Sequence, residues 1–163
     1  MSAGLVIGKF MPPHAGHLYL YGVAQAQVDE LYIVLFSKLD EPISGELRLA
    51  WLRELVPQAA IWHVTREQRV DFADAAAWDF WVSAIRDVLP REPDVVFSSE
   101  GYGNELARRL GARHVAVDPS RRRVPVSATQ IRARPLTYWR YLPAPVRRYY
   151  MLRLFRYAGA RSP

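Results

Sequence analysis

The sequence predicts an α/β protein: a doubly wound parallel sheet of five strands, followed by a helical C-terminal segment. Three observations carry this. Short apolar runs alternate with longer stretches of helical periodicity as far as Val117. The apolar runs are nearly continuous rather than alternating, as in strands covered on both faces. Successive runs are separated by segments long enough for a helix, which parallel neighbours need as a crossover.

Residues 5–8 form the first apolar run and 15–27 the first helix. The segment 29–36 (DELYIVLF) is a second strand. In 46–55, Leu47, Ala50, Trp51 and Leu55 recur on one helical face. Residues 60–64 supply a third strand. Across 74–89, Ala75, Trp78, Val82, Ile85 and Leu89 form one stripe, and Pro90 and Pro93 end the helix. The stretch 94–98 (DVVFS) is the fourth strand, 104–110 a helix closed by Gly111, and 113–117 the fifth strand. From Ser127 onward the pattern is helical in pieces, broken by Pro135, Pro143 and Pro145. Residues 1–163 read as one domain, with its core at about 4–134 and a helical C-terminal segment at about 135–158.

Cysteine is absent, which excludes a disulfide framework, a zinc ribbon and a thiol nucleophile. No apolar run reaches the ~18 residues of a membrane span, and the N-terminus lacks the basic start of a signal peptide. A soluble, cytoplasmic protein without a membrane partner is expected. The net charge of +6 conceals an asymmetry. Residues 1–118 carry 11 basic and 16 acidic side chains, whereas 119–163 carry 11 arginines and no acid. Such a basic tract attracts polyanions: nucleic acid, lipid headgroups or nucleotide phosphates.

In a doubly wound sheet the ligand lies beyond the strand carboxyl ends, where the strand order reverses. The first strand runs into Gly8-Lys9-Phe10-Met11-Pro12-Pro13-His14-Ala15-Gly16-His17. Gly8 permits close approach of a ligand to the backbone. Two prolines stiffen the turn, and Gly16 leaves a second bare position at the helix start. A helix N-terminus offers free N–H groups to phosphate. His14 and His17 share a helical face, and Lys9 adds a cation. The set is an anion site with two imidazole donors, suited to a polyphosphate. H-x-x-H is also half of a metal site, but His63 and His114 lie outside ligand spacing, so no protein-held metal is expected.

Ser127-Ala128-Thr129-Gln130-Ile131-Arg132 is a second candidate. Ser127 as a cap leaves N–H groups of the next turn free for phosphate, and Arg132 can fold back onto the ligand. Alone, the segment reads equally as an ordinary capped surface helix. Trp78 fits the apolar stripe and reads as core. Trp81 lies off its centre and has two readings: core packing, or stacking on a flat heterocycle, with a cation–π contribution for a pyridinium. Arg48, on an otherwise apolar helix, can snorkel to solvent. Asp71 and Asp74 either cap the following helix or touch substrate. Ser98-Ser99-Glu100 ends the fourth strand at the crevice. Arg121-Arg122-Arg123 is either a solvated loop or a collector of polyphosphate.

Gly8 to His17 resembles the G-[KR]-F-x-P-x-H-x-G-H signature of the HxGH nucleotidylyltransferase superfamily. Ser127 to Arg132 resembles its second signature, S-x-T-x-I-R, about 110 residues further on. The stretches VDELYIVLFS at 28–37, WDFW at 78–81, PDVVFSSE at 93–100, VDPSRRRVPVSATQIRARP at 117–135 and YWRYLP at 138–143 extend the likeness. Across roughly residues 4–150 the chain resembles the nicotinamide-nucleotide adenylyltransferase domain of bacterial NadR-type NAD-salvage proteins.

The resemblance implies a Rossmann-like nucleotidylyltransferase fold. It implies adenylyl transfer from ATP to nicotinamide mononucleotide, giving NAD and pyrophosphate, with Mg²⁺ held mainly by the ATP phosphates. It further implies that Gly8, Lys9, Phe10, His14, Gly16, His17, Ser127, Thr129 and Arg132 bind ATP, and that His14, His17, Lys9 and Arg132 carry catalysis. On the acceptor side it implies a stacking role for Trp81, a phosphate contact for Arg48, and acceptor contacts for Asp71 and Asp74. No helix-turn-helix precedes Gly4 and no G-x-x-x-x-G-K-[ST] loop follows residue 150 in this sequence. The repressor and kinase activities of full NadR proteins are therefore not expected. One alternative is a relative using nicotinic acid mononucleotide or pantetheine phosphate, or a cytidylyltransferase. The pantetheine and cytidylyl relatives usually carry an acidic residue where Met11 stands. The other is a non-catalytic nucleotide sensor or nucleic-acid-binding module, but no signature of nucleic-acid recognition is present and nucleic acid is not expected as a partner. A homo-oligomer is compatible with the sequence.

Overall fold

The computed structural model describes residues 1–67 and 72–159. The elements run β1 (Ala3–Gly8), α1 (Ala15–Gln27), β2 (Glu30–Ser37), α2 (Gly45–Leu55), β3 (Ala60–Thr65), α3 (Ala75–Val88), β4 (Val95–Ser98), α4 (Gly103–Leu110), β5 (Arg113–Ala116), α5 (Ala128–Ala133), a 3-10 turn (Trp139–Tyr141) and α6 (Ala144–Gly159). Among the described residues the five strands form one sheet in the order β3-β2-β1-β4-β5, every pair parallel. The chain leaves the central β1 toward β2 and β3, then returns to build β4 and β5 on the other side. The order therefore reverses at β1 and β4, and the crevice opens at their carboxyl ends.

The strands are apolar on both sides because helices cover both sides. Ala3 and Leu5 of β1 pack in one layer with Trp78, Val82 and Ile85 of α3 and Leu106 and Leu110 of α4. Val6, one residue on, points into the opposite layer with Leu20, Tyr21 and Ala24 of α1 and Leu52 of α2. Burying each such large aliphatic side chain contributes roughly 1.5–3 kcal/mol. A third cluster joins Met11, Ile43, Trp51, Val126, Ile131, Leu142, Val146 and Tyr150. It fastens α5 and α6 to α2 and to the turn after β1. The basic C-terminal segment is thus packed against the same turn that carries Pro12, Pro13 and His14.

The helix ends follow local chemistry. Ser44 and Asp74 cap α2 and α3 by accepting the N–H groups of Leu47 and Ala76. Gly111 closes α4 with φ 66°, a left-handed conformation that glycine adopts without strain.

Two corners of the sheet repeat one another. Ser37 at the end of β2 lies 2.6 Å from Nε2 of His63 in β3, and Ser98 at the end of β4 lies 2.9 Å from Nε2 of His114 in β5. Ser37 is in register with Thr65 and Ser98 with Ala116, so each histidine stands two residues before its serine's partner. The next helix begins directly over each pair with a glycine. A Cβ at Gly45 would meet His63 Nε2 at 2.4 Å and Ser37 Oγ at 2.5 Å. A Cβ at Gly103 would meet Ser98 Oγ at 1.9 Å and His114 Nε2 at 2.5 Å. Overpacking of this kind costs about 1–3 kcal/mol. Gly103→Ala is expected to lower the unfolding free energy measured in urea by that amount, whereas Gly101→Ala, where a Cβ meets nothing within 4 Å, leaves it within about 0.5 kcal/mol.

Candidate active site

A cavity of about 690 Å³ opens at the carboxyl ends of β1, β2 and β4. A smaller one of about 180 Å³ adjoins it between the start of α1 and the loop leading to α5. The two share His17, Ser99, Glu100, Ala128 and Thr129 in their walls.

The histidines sit where these spaces meet. His14 is the N-cap of α1, and its Nδ1 accepts the Gly16 N–H at 3.0 Å. His17 Nδ1 accepts the His14 N–H at 3.2 Å. The rings stack with centroids 3.8 Å apart and planes at 28°. Gly16 makes room for this arrangement, since a Cβ there would lie 2.8 Å from His14 Cε1. Phe10 has a positive φ of 48° and stands edge-on to His17 at 5.0 Å. A Cβ at Gly8 would meet the Phe10 ring at 3.0 Å. The bare side of Gly8, expected to admit a ligand, is therefore covered by Phe10, although Gly8 itself lines the larger cavity.

Burial, reinforced by the charge of Arg121, holds His14 down at about 4. Burial first, then the neighbouring His14 and Arg121, hold His17 well below the ordinary imidazole range. Both rings are neutral at neutral pH. Because each Nδ1 accepts, each ring proton resides on Nε2. Among the described residues neither Nε2–H has a hydrogen-bond partner. The site offers two rigid, uncharged donors.

Cations flank them. Lys9 is exposed at the cavity rim, with Nζ 3.4 Å from Glu41 Oε2. Arg132 folds back from α5, donating to the Met11 carbonyl and reaching Thr129 Oγ1 at 3.5 Å. Ser127 accepts the Gln130 N–H at 3.2 Å while Gln130 Oε1 accepts the Ser127 N–H at 2.9 Å, a reciprocal cap for α5. Lys9, Thr129 and Arg132 line the larger cavity, and Ser127 lines the smaller.

Arg48 overturns both expectations for it. It neither snorkels to solvent nor faces a cavity: it is fully buried. Nε donates to the carbonyls of Ile43 at 3.0 Å and Ser44 at 3.3 Å. Nη1 donates to those of Lys9 at 2.7 Å and Phe36 at 3.3 Å, and Nη2 to Glu41 Oε1 at 2.8 Å. Its donors are aimed at backbone by the loop that precedes α2, leaving the guanidinium turned inward. Burial pushes the Glu41 carboxyl up, but the Lys38 N–H, the Arg48 hydrogen bond and the charges of Arg48 and Lys9 outweigh it and hold Glu41 below the usual carboxylate range.

One wall of the larger cavity is aromatic. Trp78, Trp81, Phe36, Phe72 and Tyr102 all contribute. Trp81 packs edge-on against Phe36 at 4.5 Å, and its Nε1 has no hydrogen-bond partner among the described residues. It is a core residue that also presents a face to the cavity. Trp78 Nε1 donates to the Phe72 carbonyl at 3.0 Å, and Phe72 stacks on Tyr102 at 5.3 Å. Asp74, expected among acceptor contacts, is an exposed helix cap outside the cavity wall. Asp71 lies outside the described residues. Sequence reasoning missed Glu41, Phe72 and Tyr102: all three fall in irregular stretches, where no periodicity marks which way a side chain points.

Fold and cleft together define a doubly wound α/β protein with its site at the sheet's switch point. No protein-family model matches the chain. It is 32% identical over 168 residues to the trifunctional NAD biosynthesis/regulator protein NadR of Escherichia coli strain K12, an alignment covering 92% of this chain and 41% of that protein. The chain thus spans less than half the length of that relative. It is 30% identical over 139 residues to the nicotinamide-nucleotide adenylyltransferase of Pyrococcus abyssi, covering 82% of this chain and 73% of that one. The chain belongs to the nicotinamide-nucleotide adenylyltransferase family. A crystal structure of NadR protein in complex with NR shares the fold, with a TM-score of 0.71 and 22% identity over 90% of this chain and 44% of that chain.

Two outcomes follow from the buried groups. Arg48→Met leaves Glu41 buried beside unsatisfied carbonyls and is expected to cost about 3–5 kcal/mol in urea unfolding. Adding Glu41→Leu is expected to recover part of that loss. The second concerns pH. His14 binds its proton far less readily folded than unfolded, so the unfolded chain takes up more protons between pH 6.5 and 4. The stability it contributes is complete above its ordinary value and lost as pH falls. Urea unfolding at pH 7.5 and pH 5 is expected to differ by about 2 kcal/mol from His14 alone. His17 acts in the same direction, and His14→Asn flattens the dependence.

Proposed function

We propose that this chain transfers the adenylyl group of ATP to nicotinamide mononucleotide, forming NAD and pyrophosphate. The observation that carries the reading is the pair of neutral, stacked imidazoles at the sheet's switch point, each with an Nε2–H free to donate into the cavities. Family membership supports the same reaction.

In this mechanism an oxygen of the acceptor's 5′-phosphate attacks the α-phosphorus of ATP in line. A new P–O bond forms, the bond from the α-phosphorus to the bridging oxygen breaks, and pyrophosphate leaves with the electron pair. The attacking phosphate is already ionised, so no proton is removed and no general base is needed. Catalysis is positioning and charge stabilisation. His14 and His17 donate to the α- and β-phosphate oxygens without adding a charge that pH can remove. Lys9, Thr129 and Arg132 hold the polyphosphate, and Ser127 keeps α5 in place beneath it. The aromatic wall around Trp81 fits a flat pyridinium ring. Among the described residues no cluster of three His, Asp or Glu is present to cage a metal. Mg²⁺ arriving on phosphate oxygens and water would neutralise charge on the leaving pyrophosphate.

A second acceptor has one observation in its favour. Lys38 and Arg66 line the same cavity as Trp81, and two cations favour the carboxylate of nicotinic acid mononucleotide. We treat residues 1–163 as a single nucleotidylyltransferase unit working in the cytoplasm. Among the described residues no helix is long and apolar enough to cross a membrane.

Pyrophosphate release with ATP and Mg²⁺, measured with each mononucleotide in turn, tests the reaction, and the ratio of kcat/KM names the acceptor. His17→Ala is expected to lower kcat by about 10²-fold or more while the urea midpoint at pH 7.5 changes little. Unchanged turnover in that variant refutes the mechanism.

A further inference from the structure

Arg121-Arg122-Arg123 reads in sequence as a uniform charge run, and the structure splits it. Arg122 and Arg123 are exposed, and their backbone N–H groups cap the Asp118 carboxylate at 2.9 and 3.0 Å. Arg121, with a positive φ of 54°, turns the other way. It lines the smaller cavity opposite His14, His17 and Ser127. Nη1 donates to the Val126 carbonyl at 2.9 Å and Nη2 to Glu100 Oε1 at 3.0 Å.

The two anchors differ in strength. The carbonyl bond fixes the guanidinium beside the start of α5. The Glu100 pair is about half exposed, with 39% and 50% of the two side chains accessible, so solvent screens it and it is worth little. A polyphosphate carries more charge than one carboxylate and forms bidentate bonds with guanidinium more strongly. Arg48 offers the contrast: it is fully buried, and its partners are four backbone carbonyls and the Glu41 carboxylate.

We propose that Arg121 is a further phosphate-binding residue of the ATP subsite, held ready by Glu100 and transferred to the polyphosphate when ATP binds. The inference rests on the adenylyl-transfer reading and deepens it. In this arrangement the triphosphate is gripped from both sides of the imidazole pair, by Lys9 and Arg132 across the larger cavity and by Arg121 across the smaller. The charge of Arg121 already reaches both histidines, helping to keep them unprotonated.

The test uses Arg121→Ala, Arg121→Lys, Arg122→Ala and Glu100→Gln, each checked for folding by urea unfolding. Steady-state assays give KM for ATP and for nicotinamide mononucleotide, and the inhibition constant of inorganic pyrophosphate. AMP is the probe for the nucleoside alone. Arg121→Ala is expected to raise KM for ATP and the pyrophosphate inhibition constant roughly ten- to hundredfold, leaving KM for the mononucleotide and AMP inhibition within about twofold. Arg121→Lys restores part of the loss, and Arg122→Ala behaves as wild type. Glu100→Gln frees the guanidinium and is expected to lower KM for ATP or leave it unchanged.

Three results overturn the proposal. One is an unchanged pyrophosphate constant in Arg121→Ala. Another is equal weakening of ATP and AMP with pyrophosphate unaffected, which assigns the side chain to the nucleoside. The third is reproduction of the Arg121→Ala defect by Glu100→Gln, which reduces Arg121 to a loop anchor. Should Arg121→Ala fail to fold, Arg121→Lys and Glu100→Gln still decide between these. Absence of turnover in wild type refutes the adenylyl-transfer reading instead, and calorimetric titration of pyrophosphate into wild type and Arg121→Lys then tests the phosphate contact by itself.

Discussion

The cleft depends on one buried guanidinium. Taking an arginine out of water costs several kcal/mol unless its partners are good. Arg48 meets that cost with Glu41 and four backbone carbonyls. Those carbonyls belong to the turn after β1, the end of β2 and the loop before α2. Among the described residues no other group joins these three segments by hydrogen bonds. Arg132 holds the next part of the same turn from the opposite side, through the Met11 carbonyl. The turn carrying Phe10, Pro12, Pro13 and His14 is therefore pinned at two carbonyls by two arginines from different helices. Its strained Phe10 conformation persists because the surroundings leave no alternative.

That rigidity has an electrostatic purpose. Hydrogen-bond donors aimed at a developing charge are most effective when they do not reorient and do not titrate. His14 and His17 meet both conditions. Each ring is fixed by a backbone N–H at Nδ1, and burial keeps both neutral through the range where an exposed imidazole would change charge. The positive charge around them comes from Lys9, Arg121 and Arg132. Neutral donors at the centre and cations at the edges suit the proposed in-line transfer between two phosphates.

The fold was legible because its signals are local and redundant. Continuous apolar strands, the stripe from Ala75 to Leu89 and Gly111 as a stop each state their own element, and the observed bounds of α1 match the reading from sequence. The two motifs were legible for the same reason: their chemistry lies in consecutive residues. What escaped was direction. A helical wheel cannot say that Arg48 turns inward, because that depends on carbonyls from 39 residues earlier at Lys9. The triple arginine gives no hint that one member turns toward the imidazoles, since a single positive φ makes the difference. Asp74 had two readings, and the helix end took it. Glu41 became a buried ion-pair partner only once Arg48 was buried too.

The matched corners at Ser37–His63 and Ser98–His114 constrain how this sequence can drift. Each imidazole fits beside its serine only while the glycine that opens α2 or α4 stays bare. The three positions at each corner are therefore coupled sterically, so that single changes are unfavourable where combined ones are permissible, the signature of epistasis between neighbours in contact. Relatives that lose one member are expected to have replaced the other two. These corners should therefore stand out as covarying triplets in an otherwise diverged lineage.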